Sequence, residues 1–139
     1  MFNPSRDQAR GFLIDAWRKR REGLPATPLE TLAADLVALH AEYHVLLEAP
    51  DALNREWTPE QGETNPFLHL SLHLAVEEQL SIDQPPGIRA AFDRLAATRE
   101  RHDALHAVLD CLGETVWRAQ REQAPPDGEA YLDCIRRRI

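Results

Sequence analysis

The chain has little cysteine, no long apolar run and no excess of positive charge. Its two cysteines, Cys111 and Cys134, are too few for a disulfide framework, so we expect free thiols, with Cys111 a secondary candidate for a metal ligand. No apolar segment approaches the ~20 residues that a membrane-spanning helix requires, and the N-terminus lacks the apolar core of a signal peptide. These absences predict a cytoplasmic protein without a membrane partner.

Acidic residues outnumber basic ones, 23 to 16, and the net charge is −7. This charge argues against nucleic acid as a partner, because nucleic-acid binding requires a basic face. The chain also lacks strand-like alternation, a glycine-rich phosphate loop and a Gly-x-Ser-x-Gly turn. With 43% hydrophobic and 28% charged residues, we expect one globular domain over residues 1–139, as a monomer or a homodimer.

The sequence is rich in signals that start and stop helices. Asn3-Pro4 and Asn65-Pro66 each combine a capping side chain with a proline suited to the first helical turn. The predicted helices run from Pro4 to the residues before Gly23, from Pro28 (after a capping box) to about Leu47, from Phe67 to about Leu80, from Ile88 to about Gln123, and from Glu129 to Arg138. Residues 49–64 are predicted to form a loop. The pattern predicts an all-α fold, a compact bundle of about five to six helices.

The long stretch that starts at Ile88 is expected to be interrupted. His73 lies about 10 Å from the end of its own helix. In a straight helix that starts at Ile88, His102 would lie about 20 Å from the start and would pass the level of His73. A break between Ala97 and Glu100, with Thr98 as a capping residue, would return His102 to that level.

Every histidine in the chain belongs to one repeated pattern, in which two histidines four residues apart are followed four residues later by a carboxylate. The three copies are His40/His44/Glu48, His69/His73/Glu77 and His102/His106/Asp110. Residues at i, i+4 and i+8 share one face of an α-helix, so each copy predicts a row of two imidazoles and one carboxylate. Because acidic residues occupy 23 of 139 positions, a carboxylate at the third place of all three copies has a chance of roughly one in 200.

Imidazole nitrogens and carboxylate oxygens are the usual protein ligands of iron, zinc, manganese and copper. Three rows can share one site if their helices pack together, as in the metal centres of helical bundles. His69 and His73 are the strongest candidates, because the helix around them is apolar on almost every side and a buried imidazole needs a partner. Nine ligands exceed the needs of one ion, so we expect two ions bridged by Glu77. Tyr43 is expected to pack in the core, with a stacking or radical role as the alternative.

The favoured function is that of a dinuclear non-haem iron protein that binds or activates dioxygen or a related small molecule, which as an enzyme would be an oxidoreductase. Iron is the favoured metal, with zinc, manganese and copper as alternatives. A second hypothesis is a non-catalytic interaction or regulatory module whose histidines are structural or hold a single zinc. A third is a hydrolase with one zinc-bound water and Glu77 or Glu78 as general base, although the sequence contains no His-Glu-x-x-His motif.

Three segments carry a resemblance to a known family: residues 1–6 (MFNPSR), 65–91 (NPFLHLSLHLAVEEQLSIDQPPGIRAA) and 125–138 (PPDGEAYLDCIRRR). In them the chain resembles, almost end to end, a bacterial family catalogued as domain of unknown function 1841. That resemblance implies a compact cytoplasmic protein and supplies no activity. The ligand inventory alone is also similar to that of hemerythrin-like bundles, in which histidines and carboxylates hold two irons, but the helix order and carboxylate spacing differ.

Overall fold

The computed structural model describes residues 5–57 and 65–139, and within them the regular secondary structure is all helical, with no strand. The elements are α1 (Arg6–Glu22), α2 (Pro28–Ala38), a 3₁₀ turn (Ala41–Tyr43), α3 (His44–Glu48), α4 (Pro66–Ile82), α5 (Ile88–Ala96), α6 (Arg101–Glu122) and α7 (Gly128–Arg136). The all-α prediction is confirmed. In this part of the chain, no helix has both the length and the apolar character needed to cross a bilayer.

Local capping signals set the starts of the first two helices. The Ser5 side chain accepts a hydrogen bond from the backbone N–H of Gln8, whose side chain in turn accepts one from the Ser5 N–H. Thr27 and Glu30 form the same reciprocal pair at the start of α2. Each pair satisfies two backbone N–H groups that a helix start would otherwise leave without a partner. The predicted signal at Asn3-Pro4 lies outside the described residues.

The second predicted helix is shorter than its sequence pattern indicates. We predicted one helix from Pro28 to about Leu47, but α2 ends at Ala38 and the chain resumes as the 3₁₀ turn and then α3. His40 lies in the interruption, with φ −118° and ψ 70°. The described residues contain seven α-helices, compared with about five to six predicted, because the second predicted helix is divided into α2 and α3.

The chain divides into two compact units, with a boundary inside α4 between Leu74 and Ala75. In the first unit α1 packs against α2 and α3. The buried core of this unit comprises Leu13, Ala16, Trp17, Ala33, Ala34, Leu36, Val37, Leu47, Ala52, Phe67 and Leu70. Burial of these apolar side chains is the main force that holds the short helices together. A single domain over residues 1–139 stays a prediction.

In the second unit α5, α6 and α7 pack against one another. The predicted break between Ala97 and Glu100 is confirmed, because α5 ends at Ala96 and α6 begins at Arg101. Its capping residue is Glu100 and not Thr98, and no side chain caps that helix start. The fully or almost fully buried apolar residues of these three helices include Ile88, Leu95, Leu105, Val108, Leu132 and Ile135.

The prediction of free thiols is wrong. Cys111 of α6 and Cys134 of α7 form a disulfide, with their Cα atoms 5.7 Å apart. Both side chains are buried, at 0% and 8% exposure, because each faces the packed surface between the two helices. A bonded sulfur is no longer a metal ligand, so Cys111 is also removed from the list of candidates.

An ion pair links the first two helices and makes their packing sensitive to acid. Lys19 Nζ lies 2.6 Å from Glu30 Oε2, and this contact, with a backbone hydrogen bond at Thr27, lowers the pKa of Glu30 to about 2. A carboxyl group whose pKa is lowered by folding stabilises the protein above its unfolded pKa, about 4.3. That stabilisation is lost as the pH falls from there toward the folded value.

We therefore expect Glu30→Gln to flatten the loss of stability between about pH 4.5 and about pH 2. Glutamine keeps a side-chain oxygen that can accept the hydrogen bond from the Thr27 N–H in the capping box. Urea unfolding at a series of pH values measures this effect. Asp35→Asn is the matched control on the same helix, because Asp35 pairs with Arg20 at a more exposed position. An acid profile in the Glu30 variant as steep as in the wild type would contradict the assignment.

Candidate metal centre

Two histidines of the candidate centre lie in the first turns of α4. His73 is completely buried and His69 is partly buried, and their ring centroids are 4.9 Å apart with the planes at 74°. Asn65 fixes the start of this helix, because its side-chain oxygen accepts hydrogen bonds from the N–H groups of Phe67 and Leu68. The four-residue spacing therefore places both imidazoles on one helix face, as the sequence predicts.

The third histidine, His40, comes from the interruption after α2. Its ring is buried, at 2% exposure, and its centroid lies 4.9 Å from that of His69 and 4.8 Å from that of His73. His40 Nδ1 is 2.7 Å from the carbonyl oxygen of Leu36. Since a carbonyl oxygen only accepts, Nδ1 is the donor in this hydrogen bond, and a metal would therefore bind through Nε2. A histidine held in this way by a backbone carbonyl is oriented as metal ligands usually are.

The nitrogen positions fit the geometry of a bound metal ion. His40 Nε2 and His69 Nε2 are 3.2 Å apart, and His40, His69 and His73 each offer a ring nitrogen within 4.8 Å of the others. Two imidazole nitrogens on a tetrahedral zinc, each about 2.0–2.1 Å from the ion, would be about 3.3 Å apart. This three-histidine cluster, defined as His40, His69 and His73, can therefore hold a transition-metal ion.

The remainder of the first predicted row lies elsewhere in the first unit. The His44 ring stacks on Trp17 at 4.4 Å, and its Nε2 lies 2.9 Å from the Val37 carbonyl oxygen. Glu48 accepts a hydrogen bond from Trp17 Nε1 at 3.1 Å. The predicted geometry, a single helical row of His40, His44 and Glu48, is wrong because the helix breaks at His40. His44 and Glu48 instead attach α3 to α1.

The other two predicted carboxylates contact arginines in the second unit. Both oxygens of Glu77 accept hydrogen bonds from Arg101, at 2.9 and 3.1 Å. Asp110 has a 70% exposed side chain that lies 3.6 Å from Arg138. We predicted that the carboxylate of Glu77 would need a cation, and Arg101 supplies one. The assignment of Glu77 and Asp110 as metal ligands stays a prediction. Each carboxylate already contacts an arginine, which a metal ion would have to displace.

The third histidine pair lies on α6 in the second unit. His102 and His106 have ring centroids 4.1 Å apart with planes at 59°, and both side chains are partly buried. The i, i+4 spacing thus brings these two imidazoles together on one helix face. Their part in a metal centre stays a prediction.

Tyr43 contacts the cluster, whereas sequence reasoning favoured core packing over a stacking or radical role for this residue. Its ring lies nearly parallel to that of His40, with centroids 5.4 Å apart and planes at 7°, and it meets the His69 ring edge-on at 5.9 Å. Burial, followed by the charge of Glu42, raises the pKa of Tyr43. The sequence places Tyr43 three residues after His40. This spacing indicates a ring contact only when the 3₁₀ turn between the two residues is known.

The ion pair between Glu77 and Arg101 leads to a direct prediction. We expect Glu77→Gln to retain the full metal content and to destabilise the protein by no more than about 1 kcal/mol, because Arg101 is largely exposed. Elemental analysis and thermal melting measure the two quantities, with Glu78→Gln as the matched control on the exposed side of α4. Loss of metal from the Glu77 variant alone would instead identify Glu77 as a ligand or bridge.

Comparison with known proteins supports a family but no activity. Searches of curated proteins and of solved structures found no match to this chain, so the likeness to hemerythrin-like bundles is not shown. A family model described as Domain of unknown function (DUF1841) matches residues 5–137, which is nearly the whole chain. The chain therefore belongs to that family.

Proposed function

We propose that this protein binds one transition-metal ion through the imidazoles of His40, His69 and His73. The observation that carries the proposal is the 3.2 Å distance between His40 Nε2 and His69 Nε2, on a His40 ring whose Nδ1 is already held by the Leu36 carbonyl. One ring nitrogen of each histidine lies within 4.8 Å of the others, so little movement is needed to place the three around one ion. Such preorganisation raises metal affinity, since little order has to be created on binding.

Zinc is our first choice of metal. Imidazole ligands suit zinc and copper, whereas iron and manganese favour sites that add carboxylate oxygens. Glu48, Glu77 and Asp110, the carboxylates predicted for a two-iron centre, contact Trp17, Arg101 and Arg138 respectively. A two-iron, dioxygen-binding centre would have to displace these contacts, so we rank it below a single imidazole-bound ion.

A tetrahedral zinc ion takes four ligands, and in structural sites protein groups supply all four. The three-histidine cluster supplies three, so a further protein group or a water molecule would take the fourth position. Water in that position would permit hydrolytic chemistry. We rank a metal-stabilised, non-catalytic centre first, because the sequence contains no His-Glu-x-x-His motif. Hydrolase activity that depends on added zinc would favour the open, catalytic form.

A metal-free interaction module is the second candidate, and one observation favours it. The contact between His40 Nε2 and His69 Nε2 is also compatible with an N–H···N hydrogen bond, in which His69 donates to the lone pair of His40. In that case the cluster would be a hydrogen-bonded structural group, and added metal would leave the stability of the protein unchanged.

Elemental analysis of protein purified without an affinity tag, after growth with added zinc, copper, iron or manganese, tests the proposal. We expect about one ion per chain, zinc before the others. Less than about 0.5 ion per chain under every supplementation would overturn the proposal and leave the interaction module. Two irons per chain would instead support the dinuclear centre.

A further inference from the structure

We propose that Tyr43 is a positioning residue that covers the three-histidine cluster and controls the exchange of its metal ion. The inference rests on the proposed function and concerns the regulation of the same site. Its basis is that one short segment, the 3₁₀ turn of residues 41–43, carries the aromatic ring that lies against two of the three proposed ligands.

The contacts of Tyr43 restrain His40 on the face of its ring. The two rings are nearly parallel, at 7°, with centroids 5.4 Å apart, which is an offset stacked arrangement. The Leu36 carbonyl already holds one edge of the His40 ring through Nδ1. An imidazole restrained at one edge and on one face loses little further freedom when Nε2 binds a metal.

The same ring also lies against the second ligand. Tyr43 meets His69 edge-on, with centroids 5.9 Å apart and planes at 73°. His69 and Tyr43 are both partly buried, whereas His40 and His73 are buried. The phenol ring therefore lies against the most exposed of the three proposed ligands, which is the one that water or a chelator would reach first.

The turn that carries Tyr43 is suited to a local opening. Its backbone is attached to the ligand segment by the bond from the Tyr43 N–H to the His40 carbonyl, at 2.9 Å. Its other two residues, Ala41 and Glu42, are exposed. A 3₁₀ turn of three residues has few internal hydrogen bonds to break. Movement of this turn would remove the ring from His40 and His69 together, without unfolding α4.

Metal-transfer kinetics test the inference. Zinc-loaded protein is mixed with a chromophoric chelator, and the release rate is compared among Tyr43→Ala, Tyr43→Phe and the wild type. We expect the alanine variant to release zinc at least about tenfold faster, and the phenylalanine variant to stay within about twofold, because the ring and not the hydroxyl covers the cluster. Val45→Ala is the matched control, because Val45 is 79% exposed, and its release rate should equal that of the wild type.

The outcomes distinguish a failure of the covering role of Tyr43 from a failure of the proposed metal site. Unchanged zinc release from a fully loaded Tyr43→Ala variant would refute the covering role and leave the metal site intact. A wild-type protein that takes up no zinc would refute the proposed function itself. If the alanine variant does not fold, Tyr43→Leu keeps most of the buried volume without a planar ring and should still release zinc faster than Tyr43→Phe. Equal rates for leucine and phenylalanine would contradict stacking as the cause.

Discussion

His73→Ala is expected to abolish stoichiometric metal binding and to lower stability more than any other histidine substitution in the first unit. His73 is completely buried, so truncation removes a ligand and also leaves a cavity. Cavities of this size in other cores cost about 2–4 kcal/mol. Loss of a metal present at about 1,000 times its dissociation constant removes about 4 kcal/mol more. Calorimetric melting together with elemental analysis measures both losses.

The two contributions can be separated with a chelator. Wild-type protein treated with chelator should lose only the metal-dependent part, whereas His73→Ala should lose both parts and show no further response to chelator. His44→Ala is the matched control, because His44 stacks on Trp17 and lies outside the cluster. It should retain its metal while losing some packing between α1 and α3. Equal metal loss from the two variants would contradict the assignment of ligands.

Reduction of the disulfide between Cys111 and Cys134 is expected to lower the free energy of unfolding by about 3 kcal/mol. The bond joins residues 23 positions apart, and a loop of this size restricts the unfolded chain by about that amount in the loop-entropy account. Urea unfolding with and without a thiol reductant measures the difference. The buried position of both sulfurs also predicts slow reduction of the folded protein.

A double replacement of Cys111 and Cys134 by alanine provides the control for reduction. This variant should have the stability of the reduced wild type to within about 1 kcal/mol and should not respond to reductant. Equal stability of the oxidised and reduced wild type would show that the packing of α6 against α7 holds these helices without the covalent bond.

Local signals in the sequence were sufficient for most helix boundaries. Thr27 with Glu30, and Asn65 before Pro66, mark helix starts through side chains that bond to backbone groups two or three residues away. Such contacts need no knowledge of the fold. The break before Arg101 was predicted differently, from the rise of a helix and the expectation that His102 lies level with His73.

The interruption at His40 was not predictable from local signals. No glycine or proline lies between residues 29 and 49, so the helical pattern continues through the point at which α2 ends. The contacts that hold α3 in its own direction are tertiary ones, between His44 and Trp17 and between Glu48 and Trp17. Tertiary packing thus overrode a helical pattern, which is the common reason for such errors. The consequence is that His40 joins the cluster whereas His44 and Glu48 do not.

The disulfide and the arginine partners of the carboxylates could not be predicted from the sequence for a related reason. Glu77 and Arg101 lie 24 residues apart, and the two cysteines lie 23 apart, so only the packing of helices brings them together. A carboxylate four residues after a histidine carries the same sequence signal whether its cation is a metal or an arginine. The sequence alone therefore indicated His40, His69 and His73 as candidate ligands but could not distinguish the partners of the acidic side chains.

X-ray absorption spectroscopy of the zinc-loaded protein tests the central claim most directly. We expect a first shell of nitrogen atoms at about 2.0–2.1 Å with the multiple-scattering features of imidazole, because His40, His69 and His73 are the proposed ligands. A first shell without imidazole scattering would contradict the account. So would a second metal atom at about 3.5–4 Å, which would instead indicate a dinuclear centre.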